Sequence, residues 1–422
     1  NRNATFKVND WSRVDTLVAN IYDEALSANL SHISVPAAVC NCSGSHCNNP
    51  LHTGAIDDYY HAIIDCVNSS VMSAIPVKTV SSNQFNVAGW NDFVQEKYEV
   101  SRAAFLEWVY SGRPRNGALF THMSRSRAMF KLALRYCKQH EDQLKADACA
   151  RSLNLHDSKG FWKNIKRVNC NAATKYATSV GGVCGDNNIA SLWRDHFNNL
   201  YNSGVDDGSK DNFFAQLKSS QRHSNRSSIT VQEIIAAASR QKKGKSAGPD
   251  GIAMEAFIYG NCRLFTHLSL LFNMFITHSH VPQAFMQSVI VPLVKAKCGD
   301  INDVNNYRAI ALSNSITKIL ESVFMSKVTA LNDIDCYQFG FKAGHSTGIC
   351  ANTMKQVIDY YTCRDSHVFV CFVDFSKAFD KVDYWKLFSK LLDDDIDCNI
   401  VALLAVWYSK QQACIRWKQT YS

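Results

Sequence analysis

Apolar residues recur at helical spacing through the first half of the chain. Val14, Leu17, Val18, Ile21 and Ala25 keep a 3.6-residue period, and Ile56, Tyr59, Tyr60, Ile63, Val67 and Val71 do so again until Pro76. Both segments are therefore predicted to be amphipathic helices. From Arg125 to about Ala150 the pattern is again helical, with Arg127, Lys131, Arg135 and Lys138 at i, i+4, i+8 and i+11 and hence on one face. Ile189, Leu192, Trp193, Phe197 and Leu200 predict a further helix. Residues 203–228, rich in Ser, Asp, Asn and Gly, read as a linker and as the clearest domain boundary.

Past that boundary the local signals sharpen. Thr230-Val231-Gln232-Glu233 fits a capping box, in which hydroxyl and carboxylate satisfy free backbone donors, and it opens a helix expected to end near Gly244. Gly248-Pro249-Asp250-Gly251 suits a type I turn with proline at its second position. Gly244-Lys245-Ser246 is not a P-loop, because Ser239 stands where that motif needs glycine and a helix stands where it needs a strand. His367 to Val373 is a near-continuous apolar run, the pattern of a strand buried on both faces, and it delivers Asp374 at its C-terminal end. Taken bare, such an Asp is a turn residue more often than a metal ligand. The last residues, Ile415 to Ser422, read as mid-strand, and the chain as a piece of a longer polypeptide. The fold class expected from these elements is α+β, helical at first and mixed later.

Charge changes the picture in one place. The net +8 of the 422 residues is concentrated, with −5 over residues 1–100, +12 over 101–250 and +1 over 251–422. A central segment this basic, interleaved with Phe105, Trp108, Tyr110, Phe161 and Trp162, suits a polyanion as well as it suits a solvated helical face. No apolar stretch approaches the eighteen or so residues of a membrane helix, so no membrane partner is expected. The sixteen cysteines are mostly isolated in apolar segments, as with Cys137, Cys149, Cys262, Cys350 and Cys371, and read as buried thiols of a reducing compartment. One cluster, Cys40, Cys42, Cys47 and His52, holds metal-ligand types. Its Cys42-x4-Cys47-x4-His52 spacing matches no standard finger and a second ligand pair is missing, so incidental thiols in a loop are expected and zinc is not.

Five blocks in consecutive order carry a family resemblance: Lys245 to Ile252; Val291-Pro292-Leu293-Val294-Lys295; Asn306-Tyr307-Arg308-Ala309-Ile310-Ala311-Leu312 with Lys318-Ile319-Leu320-Glu321; Gln338 to Thr347; and Phe372-Val373-Asp374-Phe375-Ser376-Lys377-Ala378-Phe379-Asp380-Lys381-Val382. In these blocks the chain resembles the reverse transcriptases of LINE-type, non-LTR retrotransposons of the jockey-like group. Upstream, Gly89-Trp90-Asn91-Asp92, Ser111-Gly112-Arg113-Pro114-Arg115 and Phe161-Trp162 with Ile165-Lys166-Arg167 resemble the region connecting endonuclease and polymerase in such elements.

What the resemblance implies is specific. Residues 1–202 are expected to be a helical, basic connecting region, 203–229 a linker, and 230–422 the fingers and first part of the palm of a right-hand polymerase with an incomplete palm sheet. Asp374 matches the first metal-binding aspartate, with the Phe375 carbonyl as second ligand, in a reaction that uses two Mg²⁺ ions. Ala378 and Phe379 would face the incoming nucleotide, Phe379 rejecting a 2′-hydroxyl. Arg308 and Lys295 match cations that clamp the triphosphate, where arginine offers a bidentate fork. Lys245, Gln338 and Lys342, with the Arg127, Lys131, Arg135 and Lys138 stripe, would meet nucleic acid. The implied partners are the element's RNA as template, target DNA as primer and dNTPs, and the implied compartment is the nucleus. Ala309 stands where the family usually has proline. The family's adjacent Asp-Asp pair is matched nowhere; Asp393-Asp394-Asp395-Ile396-Asp397 reads as a solvated turn, and the chain as written is not expected to polymerise. The rival expectation is a non-catalytic nucleic-acid-binding relic of such an element.

Overall fold

The structure is a computed structural model that describes every residue except 1–4, 43–46, 48, 82–86, 170–176, 203–206, 221–227, 296–298, 329–334 and 343. In chain order its first elements are β1 (Thr5–Asn9), α1 (Thr16–Leu30), α2 (Ala37–Cys40), α3 (Pro50–Ala74) and β2 (Val77–Ser81). Then come α4 (Gln95–Tyr110), α5 (Ala118–Gln139), α6 (Glu141–Asn154) and α7 (Ser158–Asn169). They are followed by β3 (Ser179–Val180), β4 (Val183–Cys184), α8 (Asp186–Tyr201), α9 (Ser209–Ser220), α10 (Val231–Ser239), α11 (Glu255–Ile258) and α12 (Cys262–His278). The last are β5 (Gln287–Val294), β6 (Tyr307–Ser313), α13 (Ser315–Lys327), α14 (Thr347–Thr362), α15 (Tyr384–Asp393), α16 (Cys398–Lys410), β7 (Gln412–Trp417) and β8 (Thr420–Tyr421). The chain divides into two compact units, residues 1–8 with 79–176 and residues 9–78 with 177–422.

The larger unit is built around α12. Its Leu264, Phe265, Leu268, Leu271, Phe272, Phe275 and Ile276 are all buried, with His267 and Ser269 buried among them and hydrogen-bonded to Tyr59 and the Ile229 carbonyl, so the helix is enclosed on most sides. Against it pack α3, through Ile56, Tyr59, Tyr60, Ile63 and Val67 as the periodicity predicts, with Leu26 and Leu30 of α1, Ile234 of α10, Ile319 and Leu320 of α13 and Trp407 of α16. The predicted capping box opens α10: Glu233 N donates to Thr230 Oγ1 at 3.3 Å and Thr230 N donates to Glu233 Oε2 at 2.7 Å. The predicted turn is present too, closed by Gly251 N donating to Gly248 O at 3.1 Å.

A four-stranded mixed sheet, ordered β6-β5-β7-β8, lies at the edge of this unit. β5 and β6 are antiparallel with Leu293 opposite Arg308 and Val291 opposite Ile310, while β5 and β7 run parallel with Ile290 opposite Ile415. Successive side chains alternate faces, so one face carries Ile290, Tyr307, Ile415 and Trp417. That face is covered by Ile189, Trp193 and Phe197 of α8, the helix anticipated at that place. Phe213 and Leu217 of α9 pack with Phe388 and Leu392 of α15 and Val401 of α16.

The smaller unit has a modest core. Val94, Cys137 and Leu144 are buried together, with Trp90, Phe130 and Leu134 against them. A single π-helical turn, Trp90–Val94, follows Gly89, whose φ of +72° favours glycine. A Cβ at Gly89 would also stand 3.0 Å from a Leu144 methyl. Arg151 and Asp92 pair at 2.7 Å, which holds the Arg151 guanidinium above its ordinary pKa.

Several expectations are corrected. The buried face of α1 is Tyr22, Leu26 and Leu30, while Leu17 and Ile21 face solvent, because the Tyr22 hydroxyl reaches the Ala256 carbonyl at 2.8 Å and so brings a polar group inward satisfied. The segment 125–150 is two helices, broken at His140. The helix after Thr230 stops at Ser239, five residues before Gly244. Part of the expected 203–229 linker is α9, because Phe213 and Leu217 at i and i+4 find an apolar partner in α15, and the compact units divide elsewhere. Cys137 and Cys149 are buried, but Cys262, Cys350 and Cys371 are exposed. The largest difference is the segment 367–373. It forms no regular element, pairs with no strand among the described residues and leaves Phe369 94% and Phe372 79% exposed, since without a neighbouring strand neither of its faces has anything to pack on.

Candidate nucleotide and nucleic-acid interface

The face of the β5–β6 hairpin opposite α8 carries Arg308, Ile310 and Leu312, and Leu312 also lines a cleft of about 480 Å³ with Arg240, Lys242, Lys245, Ser246, Met254 and Lys318. Four cations thus converge on one cleft, and Arg308 lies four residues along the strand from its wall. Lys295, just past β5, is exposed and donates to the Asn305 carbonyl at 3.0 Å, which anchors it beside the same hairpin. On the neighbouring Gly-Pro-Asp-Gly turn, burial pushes the Asp250 carboxyl up to about 6 against the opposing pull of the Ile252 backbone N–H and of Lys318. Its Oδ1 accepts from Ile252 N at 3.1 Å, and its Oδ2 is buried with no hydrogen-bond partner among the described residues.

Why this sequence makes the cleft is visible at Gly248. A Cβ there would stand 2.7 Å from the backbone N and Cα of Asn314, so the Gly-Pro-Asp-Gly turn is pressed onto the start of α13 as only glycine permits. Asn314 completes the contact, its Oδ1 accepting from Asp250 N at 3.3 Å and its Nδ2 donating to Ala284 O at 2.9 Å. Two of the sequence blocks are joined in this way.

The remaining candidates fall in a solvent-facing excursion between residues 335 and 382. Asp374, Phe375, Ala378 and Phe379 are all exposed, and Asp374 sits at the end of the unpaired 367–373 segment. Residues 376–381 form the turn anticipated after it, with Asp380 N donating to Lys377 O at 3.1 Å. Gln338 donates to Gly340 O at 3.2 Å and Lys342 to Asp335 O at 3.2 Å, so both are used in shaping their own loop. That loop reaches the Asp374 block through Phe341 and Phe379, whose rings meet edge-on at 5.9 Å. α14, between them, buries none of its residues.

In the smaller unit Arg127, Lys131, Arg135 and Lys138 are all exposed on α5, on one face as the spacing requires, and none forms an ion pair with a described residue. Asp393, exposed, ends α15 and accepts from Gln216 Nε2 at 2.6 Å, Asp394 and Asp395 form the exposed turn after it, and Asp397 caps α16 by accepting from Asn399 N at 2.8 Å. Cys42, Cys47 and His52 lie together, and His278 at the C-terminus of α12 joins them. Sequence reasoning missed His278, Arg240 and Lys242, and named Lys318 only within a family block, without a role. A histidine at the end of a helix rich in buried apolar residues was a signal, but its partners lie more than two hundred residues away.

Part of the chain is similar to curated proteins. The 115 kDa protein of type-1 retrotransposable element R1DM of Drosophila melanogaster is 28% identical over 189 residues, 44% of this chain and 18% of that protein. Over about two fifths of its length the chain is similar to RNA-directed DNA polymerases of non-LTR retrotransposons. The Pol polyprotein from type-1 retrotransposable element R1 of Bradysia coprophila is 27% identical over 39% of this chain and 16% of its own length. The RNA-directed DNA polymerase from mobile element jockey of Drosophila funebris is 24% identical over 36% of this chain and 17% of its own length. The matched stretch is therefore less than a fifth of each of these proteins. No family model matches the chain. Among the described residues, no helix is long and apolar enough to cross a membrane.

Proposed function

We propose that this chain carries the fingers and the first palm segment of an RNA-directed DNA polymerase that copies element RNA onto a DNA primer in the nucleus. Residues 1–202 would act as the connecting region and 230–422 as polymerase, with the stretch between them, which includes α9, joining the two. The observation that carries the proposal is the single sheet face on which Arg308 runs toward a cleft ringed by Arg240, Lys242, Lys245 and Lys318. Such a surface suits a triphosphate beside a template backbone, because guanidinium forks grip phosphate oxygens in two places while ammonium groups neutralise charge. Lys295 extends the same cationic edge. Gln338 and Lys342 would meet the template, and Ala378 and Phe379 the nucleotide sugar.

The relatives are polymerases, a class that depends on divalent ions, which when bound activate the primer hydroxyl and neutralise the triphosphate. Asp374 offers one exposed carboxylate and Phe375 one carbonyl. The one group of three or more His, Cys, Asp or Glu ligands found among the described residues does not include Asp374. A two-ion centre is therefore not assembled by these residues alone. In the complete element-encoded polyprotein, Asp374→Asn should abolish template-directed incorporation with RNA binding retained, and Phe379→Val should admit ribonucleotides. Near wild-type turnover in Asp374→Asn would overturn the assignment. The exposure of residues 367–375 favours a second reading, a non-catalytic nucleic-acid-binding relic, which requires that the polyprotein with Asp374 intact incorporate nothing while still binding RNA.

A further inference from the structure

We propose that Cys42, Cys47, His52 and His278 form a structural zinc site that ties the loop before α3 to the C-terminal end of α12. The four side chains each offer one ligand atom, and all four atoms lie within 4.8 Å of one another. A tetrahedral zinc with bonds of about 2.0–2.3 Å needs its ligands about 3.3–3.8 Å apart, so closure takes side-chain adjustments of about 1 Å. Part of the set already stands at that spacing, with Cys47 Sγ 3.5 Å from His52 Nδ1. The His52 and His278 rings meet edge-on at 5.4 Å between centroids.

The fourth ligand is the decisive one. Two cysteines ahead of α3 and a histidine in its first turn, at an irregular spacing, are an incidental cluster; a buried histidine from a distant helix completing them is not. His278 Nε2 lies 3.3 Å from the Val39 carbonyl, which only accepts, so that nitrogen carries the proton. This leaves the lone pair on Nδ1, and Nδ1 is buried with no hydrogen-bond partner among the described residues. An unsatisfied polar atom in the interior is costly, and a metal bond is one way to relieve it. A histidine donating its other nitrogen to a backbone carbonyl is also the arrangement in which a metal-bound imidazole is held in orientation. The cysteines are free thiols, and binding would release their protons.

Two thiolates and two imidazoles select a borderline-soft divalent ion over magnesium or calcium. Because four protein ligands fill the tetrahedron, no position is left for water or substrate, and the role is structural. The site sits where α2 and α3 pack on α12, so the ion would pin Cys42, Cys47 and the first turn of α3 to the central helix of the larger unit.

The test uses the full chain expressed under reducing conditions in zinc-supplemented medium. Metal analysis should find about one zinc per chain. Cobalt replacement should give tetrahedral ligand-field absorption and a thiolate charge-transfer band. His52→Asn, at the more open side of the set, and His278→Gln should each reduce zinc content at least tenfold. Cys40→Ser, which alters a nearby exposed thiol outside the set, should leave it unchanged. Where His278→Gln fails to fold, the wild type decides alone: a chelator should lower its melting temperature, and zinc should restore it. The proposal is overturned by wild-type protein without zinc or cobalt, by unchanged zinc content in both His52→Asn and His278→Gln, or by a Cys42–Cys47 disulfide in metal-free protein.

Discussion

Replacing Arg127, Lys131, Arg135 and Lys138 together by glutamine removes four positive charges from one face of α5. Glutamine is as good a helix former as lysine or arginine, so the fold should survive and circular dichroism should be unchanged. All four side chains are exposed and none is engaged in an ion pair with a described residue, so each is available to a phosphate. On a single strand each neutralised phosphate contributes a slope of about −0.7 in log affinity against log salt, so full engagement of the stripe is worth a slope of about −2.8. Between 50 and 200 mM salt that corresponds to about a 50-fold loss of affinity that the quadruple variant should no longer show. Fluorescence anisotropy with a labelled single-stranded RNA at four or five salt concentrations measures both slopes. A slope identical in the variant and the wild type refutes the assignment, because a solvated face with no partner releases no counterions when its charge is removed.

The other expectations concern the larger unit and are checked by urea denaturation. Trp193→Ala empties the contact between α8 and the sheet, where Trp193 is wholly buried against Tyr307 and Trp417, and should cost about 3–5 kcal/mol. Gly248→Ala places a methyl 2.7 Å from Asn314 backbone and should destabilise by about 1–3 kcal/mol, whereas the same change at Gly251, which meets nothing, should act only through its positive φ. Thr230→Ala removes one half of the capping box and should cost about 0.5–2 kcal/mol. Asp250 binds its proton more tightly folded, at about 6, than an ordinary unfolded carboxyl near 4, so its contribution is present at low pH and is lost as pH rises toward and through 6. Asp250→Asn should therefore raise the urea midpoint at pH 7 and leave it little changed at pH 4; an equal effect at both values would show that the charge of Asp250 is not responsible.

What the sequence discloses is local. The capping box at Thr230, the turn at Gly248, the register of α3 and the α8 face were readable because each is decided by residues within one or two turns of chain. The buried face of α1 was not, since a tyrosine counts as buried or exposed according to whether its hydroxyl finds a distant acceptor, here Ala256 O. α9 was misread because its polar composition masks two aromatics and a leucine that matter only when α15 is present. The 367–373 run was misread for the converse reason: its apolar pattern specifies a strand, but a strand exists only with a neighbour. For the site, residues within one block were found and the gathering of blocks was not. Lys245 was singled out, yet Arg240, Lys242 and Lys318 share its cleft because of the Gly248–Asn314 contact, which no spacing rule contains.

The parallel pairing of β5 with β7 sets an order on assembly. β6 is ready to pair as soon as it is made, since a short connection joins it to β5, but β7 emerges roughly 125 residues after β5. At about 5–20 residues per second the ribosome takes roughly 6–25 s to deliver it, far longer than the microseconds a hairpin needs. Throughout that interval one edge of β5 stays open, and the apolar 367–373 segment is synthesised beside it before the rightful partner exists. Nascent chains should therefore compete for β5 between two strands, and a pause in translation before residue 412 would favour the wrong one.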